Sequence, residues 1–161
     1  MKEIKEAQEK WKAAKNAAQN RCEQSHNYEM ARKLGACQMF TGEESMEEMI
    51  NLMFSPQGAE FLTENHFPDI VTFRKFKKYH PERFGVYIDA GKITLSEARK
   101  AFLVGNTIAE MKYSQIAGNR LILMCGASAH IEASGYSIVK IEKDDVSKVE
   151  IVKSDYAKVL Q

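Results

Sequence analysis

The residues equipped for covalent chemistry sit close together in the last third of the chain. Cys125, His130 and Glu132 offer a nucleophile, a base and a carboxylate within one short stretch. A reactive thiol needs an imidazole to take its proton and a third group to orient that ring. Such a set would suit a small hydrolase or transferase. A second set would act by charge: Arg74, Lys75, Lys77, Lys78 and Arg83 alternate with Phe73, Phe76, Tyr79 and Phe84. Cations with aromatics between them can follow a phosphate backbone and stack on bases. His26, His66 and His80 have no metal-ligand spacing, and neither a P-loop nor a nucleophile elbow is present. No metal or other cofactor is therefore expected.

Each set has a plainer reading. Phe73 and Phe76, at i and i+3, would face inward and leave the cations as a solvated helix face. Glu43, Glu44, Glu47 and Glu48 crowd the start of a helix, where the macrodipole favours carboxylates without any acid–base role. His130 belongs to a repeat whose equivalent positions carry Lys140 and Glu150, the signature of a solvent-facing site.

That repeat organises the chain. From Gly126 to Gln161 residue types recur every ten positions: Ala127, Ser137, Ser147 and Ala157 in one column, Ala129, Val139, Val149 and Val159 in another, then Ile131, Ile141 and Ile151. Polar residues lie between, and Ser134-Gly135, Asp144-Asp145 and Ser154-Asp155 close the units. Apolar and polar residues alternate with a period of two, which predicts strands with one buried face. Ten is even, so every unit keeps its apolar set on the same side of a sheet. Equivalent positions then stack, as in a solenoid, with one unit forming one face of a larger coil; an antiparallel meander is the alternative. An uncapped stack of this kind would be an association surface.

Upstream the period is helical. Residues 1–38 are rich in Ala, Lys, Glu and Gln, with a narrow stripe of Ile4, Ala7, Trp11, Ala14 and Ala17 suited to a subunit contact. After Ala18 the stripe fades and a break is expected within Gln19 to Asn27, then a short helix with Tyr28, Ala31 and Leu34 that ends near Gly35. Thr41 and Glu44 have capping-box spacing ahead of Met46, Met49, Ile50, Met53 and Phe54, methionines being core filler here. Ser55-Pro56 starts another helix through about Glu64. Asp69 starts a third, through Lys77 and barred from continuing by Pro81. From Phe84 the pattern is strand-like. Asp89-Ala90-Gly91 has hairpin-turn length, Gly105-Asn106 and Gly118-Asn119 suit either type II′ turns or bends between rungs of a solenoid, and Ser96 to Lys100 is a polar interruption of about one helical turn. The expected fold is α+β, with a helical region at 1–83 and a β-repeat region at 84–161.

Composition fits a globular chain, with 44% hydrophobic and 28% charged residues, and a net charge of +1 leaves no global field to attract polyanions. The first residues lack the apolar segment of a secretory signal, and no run is long enough to span a membrane. Three widely spaced cysteines read as reduced thiols of a cytoplasmic protein. Tyr87-Ile88-Asp89-Ala90-Gly91, Val104-Gly105-Asn106-Thr107 and Gly126 to Tyr136, with the Phe-Ser-Pro-x-Gly pattern at Phe54 to Gly58, resemble short uncharacterised proteins of gut bacteria and their prophages. The resemblance spans roughly Met53 to Gln161. It implies a helical head before a strand-repeat tail in a mobile-element setting, and brings no activity with it.

The leading expectation is a non-catalytic structural or interaction module that self-associates, with Trp11, Val139, Ile141, Val149, Ile151 and Val159 as contact residues. A nucleic-acid-binding accessory protein working through Arg74 to Arg83 is the first alternative. Catalysis at Cys125 and His130 is the second.

Overall fold

A computed structural model of the chain describes residues 2–36 and 41–161, with the backbone alone for 33–36. Cys37 and the side chain of Leu34 lie outside this description. Two compact units divide between Pro68 and Asp69.

The first unit is helical: α1 (Lys2–Gln24), α2 (Tyr28–Ala36), α3 (Met46–Met53) and α4 (Pro56–Asn65). Helix α1 ends inside the polar stretch Gln19 to Asn27, where the break is expected. Residues 19–24 are polar but contain neither Pro nor Gly, and the helix runs on until His26 enters the left-handed region at φ 59°. Gly35 falls inside the last turn of α2. The capping box ahead of α3 is Ser45 with Glu48, one register later than Thr41 and Glu44. Glu44 instead folds back on the preceding turn, accepting from Thr41 Oγ1 at 2.8 Å and Gly42 N at 2.8 Å. Ser55 caps α4 as the Ser-Pro pair requires, accepting from Gly58 N at 3.0 Å. Trp11 is buried, its ring 5.8 Å from that of Phe67. The indole is thus spent inside the unit and is not presented as a subunit contact.

The second unit opens with α5 (Ile70–Lys75), capped by Asp69, whose carboxylate accepts from Thr72 N at 2.7 Å. Two 3₁₀ turns follow, Lys77–Tyr79 and Pro81–Phe84. The helix expected through Lys77 therefore stops two residues early. These segments, assigned by sequence to the helical head, belong to the same compact unit as the strands. Nine strands come next: β1 (Val86–Ile88), β2 (Gly91–Ser96), β3 (Lys100–Val104), β4 (Thr107–Tyr113), β5 (Gly118–Met124), β6 (Ser128–Ala133), β7 (Ile138–Lys143), β8 (Lys148–Lys153) and β9 (Lys158–Leu160).

Odd and even strands form separate sheets, β1-β3-β5-β7-β9 and β2-β4-β6-β8, and every pairing is parallel. The chain is a two-sided parallel β-solenoid, and the antiparallel meander is excluded. One ten-residue unit is one face of a coil, so Ser128 pairs with Lys148, twenty residues on. The first coil is shorter: Val86 pairs with Phe102, sixteen on. Asp89-Ala90-Gly91 is accordingly a corner between sheets rather than a hairpin turn, and Gly105-Asn106 is a bend between rungs, one of its two expected forms. Gly118-Asn119 lies within β5, and Ser96 to Lys100 is a corner with Glu97 at φ 55°, with no helical turn.

Inward residues of both sheets merge into one core. Leu103, Leu121, Leu123, Ala129, Ile131, Val139 and Ile141 are enclosed, with Val149, Ile151 and Val159 packed against them and partly exposed. Lys140 and Glu150 point outward, as the alternation requires. The small column Ala127, Ser137, Ser147 and Ala157 is buried immediately after each corner, where the chain re-enters the coil. Ser137 Oγ donates there to Ser134 O at 2.8 Å. On the outer side of β1, β3 and β5, the columns Val86–Phe102–Ile122 and Ile88–Val104–Met124 are also buried. Phe73 of α5 packs edge-on against Phe102 at 5.4 Å. Four consecutive apolar residues in β3 and β5 mark strands covered on both faces.

Charge placed in this core should scale with enclosure. Val139→Asp is expected to destabilise the chain by on the order of 3 kcal/mol or more in chemical denaturation. Val149→Asp, one coil nearer the end, should cost less, and Glu150→Lys only about a few tenths. Equal losses at 149 and 150 would contradict the inward–outward register.

Candidate functional site

The corners hold the polar chemistry of the solenoid. A chain that leaves one sheet for the other frees backbone N–H groups, and a buried unpaired one costs about 1–3 kcal/mol. Carboxylates from neighbouring coils take them up. Asp144 accepts from Cys125 N at 2.7 Å and from Ser147 N at 3.0 Å, and Asp155 accepts from Gly135 N at 3.0 Å. Asp89 accepts from Asn106 N at 2.9 Å, and Glu97 accepts from Ser114 N and Ser114 Oγ, each at 2.7 Å. Gly105 shows why one corner excludes a side chain: at φ 65°, a Cβ would stand 2.4 Å from Asp89 Oδ1. Asp-Asp and Ser-Asp at the unit ends are therefore clamps between coils, a role the ten-residue spacing did not reveal.

The basic stretch is drawn into the same scaffold. Arg74 donates to Asp89 through Nε at 2.7 Å and Nη2 at 3.3 Å, a forked pair. The guanidinium holds the Asp89 carboxyl below its ordinary range, with the Asn106 N–H adding to the effect. Arg83 donates to the carbonyls of Tyr79 and His80, both at 3.4 Å, and lies over Phe84. Lys78 lies over Tyr79, 5.1 Å from the ring centre. Lys77 is exposed and Lys75 half-buried. Of the interleaved aromatics, Phe73 is buried, and Phe76 and Tyr79 pack on each other at 6.1 Å. The five cations share a segment in which Phe73 is buried and Phe76, Tyr79 and Phe84 are half-buried. His66 and His80 occupy left-handed positions at helix ends, and His26 lies in the turn after α1; all three have backbone reasons for their places.

Cys125 and His130 do not meet as a dyad. Cys125 is at a corner at φ 60°, half-buried, beside Asp144. Burial first, then the carboxylates of Asp144, Asp69 and Asp89, push its thiol up to about 11. Such a thiol stays protonated at neutral pH, the opposite of an activated nucleophile. His130 projects from β6 on the outer face of its sheet, in register with Glu110 and Glu150, with Nδ1 3.4 Å from Glu150 Oε2. Glu132 stands beside Lys112 at 4.0 Å. Cys125 thus lies in the corner turn, whereas His130 lies in the strand that follows it.

In the first unit a groove of about 460 Å³ has an apolar floor of Ala18, Cys22, Met30 and Phe61, with Arg21 bonded to Asn65 at its rim. Among the described residues, no group of His, Cys, Asp or Glu is placed to hold a metal ion, and no helix is long and apolar enough to cross a membrane.

The residues expected to mediate association divide by depth. Val139 and Ile141 are fully enclosed, so they serve the core, as Trp11 does. Val149, Ile151 and Val159 remain partly open. Sequence reasoning missed an apolar strip along one corner: Ile116, Tyr136 and Tyr156 are 82%, 57% and 70% exposed. The two tyrosine rings stack at 4.9 Å and 9°. Their twenty-residue spacing was the available signal, since it equals one coil.

Two measurements check this account. Cys125 should resist alkylation at pH 7 in the folded protein and react only as the pH approaches the thiol's raised value; rapid modification at neutral pH would restore it as a nucleophile. Asp89 and Glu97 both titrate below their ordinary values, through the Arg74 and Ser114 hydrogen bonds. Groups depressed on folding add stability above their unfolded pKa and lose it as the pH falls towards the folded one. The denaturation midpoint should therefore drop below about pH 4, and less steeply in Asp89→Asn and Glu97→Gln. Compared with protein-family models, with curated proteins and with solved structures, the chain has no match, so its function is read from its own residues.

Proposed function

We propose that this chain is a non-catalytic structural module that associates with further copies of itself through the last coil of its solenoid. One observation carries the reading. Val149, Ile151 and Val159 are half-buried, whereas Ala129, Ile131 and Val139, their partners one coil below, are 5%, 0% and 0% exposed. Among the described residues, no strand pairs with the outer edge of β8. A sheet edge with free N–H and C=O groups beside an unfinished apolar core is a template for another strand. The protonated corner thiol and the separated histidine support a role without covalent chemistry. The resemblance of the chain to prophage-borne proteins supports a mobile-element setting, where small assembling modules serve structural roles.

Sedimentation velocity over a concentration series tests the reading. The expected result is a mass that rises with concentration above that of one chain and returns to the monomer value in Val149→Asp. A single-chain mass at every concentration would refute self-association.

A further inference from the structure

Resting on that reading, we infer that the second copy docks antiparallel along β8, about a two-fold axis at Val149, with Lys148 of each copy against Glu150 of the other. The backbone determines which residues can pair. Lys148 N donates to Ala127 O at 3.0 Å and Ser154 N to Ala133 O at 2.9 Å, so the even positions of β8 bond inward to β6. Val149, Ile151 and Lys153 therefore present their N–H and C=O groups to the free edge, because the two sides of a strand alternate. The side chains of Val149 and Ile151 face the core, and those of Lys148 and Glu150 are exposed outside it. Pairing must keep inward with inward and outward with outward.

Few registers meet that condition, and charge separates them. A pairing centred on Glu150 sets two carboxylates face to face, and one centred on Lys148 opposes two ammonium groups; like charges directly opposite are destabilising. Centred on Ile151, the pairing sets Val149 against Lys153 on the core side. Centred on Val149, it brings valine against valine, with Ile151 opposite Ser147, whose N–H stays with Asp144 and takes no part in the pairing. Lys148 then faces Glu150 of the second copy, and the two-fold axis repeats the pair. These opposed charges occupy a non-hydrogen-bonded position, where antiparallel side chains approach most closely. Glu150 is free to turn towards it, since its side chain is 84% exposed and its contact with His130 is a long 3.4 Å.

A head-to-tail stack is disfavoured by two lysines. Lys143 and Lys153 stand in inward columns that Leu123 and Ala133 fill one coil below. Both are exposed, with Lys143 Nζ reaching Asp144 O at 3.4 Å. Another coil laid on in parallel register would cover these charges, and charged residues in inward positions are a recognised guard of open edges. A two-fold pairing is closed and stops at two copies.

The test is a charge exchange on the full chain, read as mass by sedimentation and as fold by circular dichroism. Lys148→Glu and Glu150→Lys each place like charges opposite on both sides of the axis, so each variant alone should dissociate with a constant raised about tenfold or more. Mixed in equal amounts they restore two opposite-charge pairs, and the wild-type dimer mass should return. Raised salt should weaken the wild-type dimer. Should either variant lose its fold, Lys148→Gln and Glu150→Gln replace the pair: each alone should give a weakened dimer, and mixing them should rescue it in part, because the mixed dimer regains one of the two Lys148–Glu150 pairs. A wild-type dimer that survives both exchanges, or variants that fail to rescue each other, would overturn this register and leave self-association standing. A wild-type monomer would overturn both.

Discussion

A two-sided coil must change sheets about every ten residues without losing its parallel ladder, and the rest of this structure depends on how its corners meet that demand. Leaving a sheet frees N–H groups that the ladder no longer serves. Here carboxylates one coil away accept them, Asp144 from Cys125 N and Asp155 from Gly135 N. Each clamp joins two coils, so the stack is tied at its corners as well as along its strands. The same demand explains left-handed backbone at Asp89, Glu97, Cys125 and Asp155, and the small residue that re-enters the coil after each later corner.

With the corners secured, the inward columns decide where the core is closed and where it is open. In the middle coils, Leu121, Leu123, Ile131 and Val139 meet across the interior and exclude water. In the last coil the columns change character along their length, from Val149 and Ile151 to Lys153. One end of that coil offers apolar surface and a free strand edge, and the other carries charge.

The chemistry-bearing residues are absorbed by this scaffold. Arg74 holds Asp89, which in turn holds the corner at Asn106. The Cys125 thiol is kept protonated by burial and by the carboxylates that clamp the corners. His130 stands in an outer ladder between glutamates, a place reached by alternation rather than by convergence on a nucleophile.

The sequence by itself determined whatever is local or periodic. Ser55-Pro56 and Asp69 start their helices because capping uses residues three apart. Val139, Ile141, Val149 and Ile151 face inward because an even period with two-residue alternation returns each side chain to the same face. The identity of the pairing partner is not local. A ten-residue period is equally satisfied by neighbouring antiparallel strands and by every second strand in parallel, and only closure of the coil into two opposed sheets chooses. That closure turned Asp89-Ala90-Gly91 from a hairpin into a corner and set Tyr136 on Tyr156. It also made acidic turn residues into clamps. Likewise Trp11 lay on a stripe fit for a partner, and the return of the chain to Phe67 closed it within its own unit. Tertiary structure decided these points because each depends on two segments meeting, and burial rewards that meeting only once the whole coil or helical unit is in place.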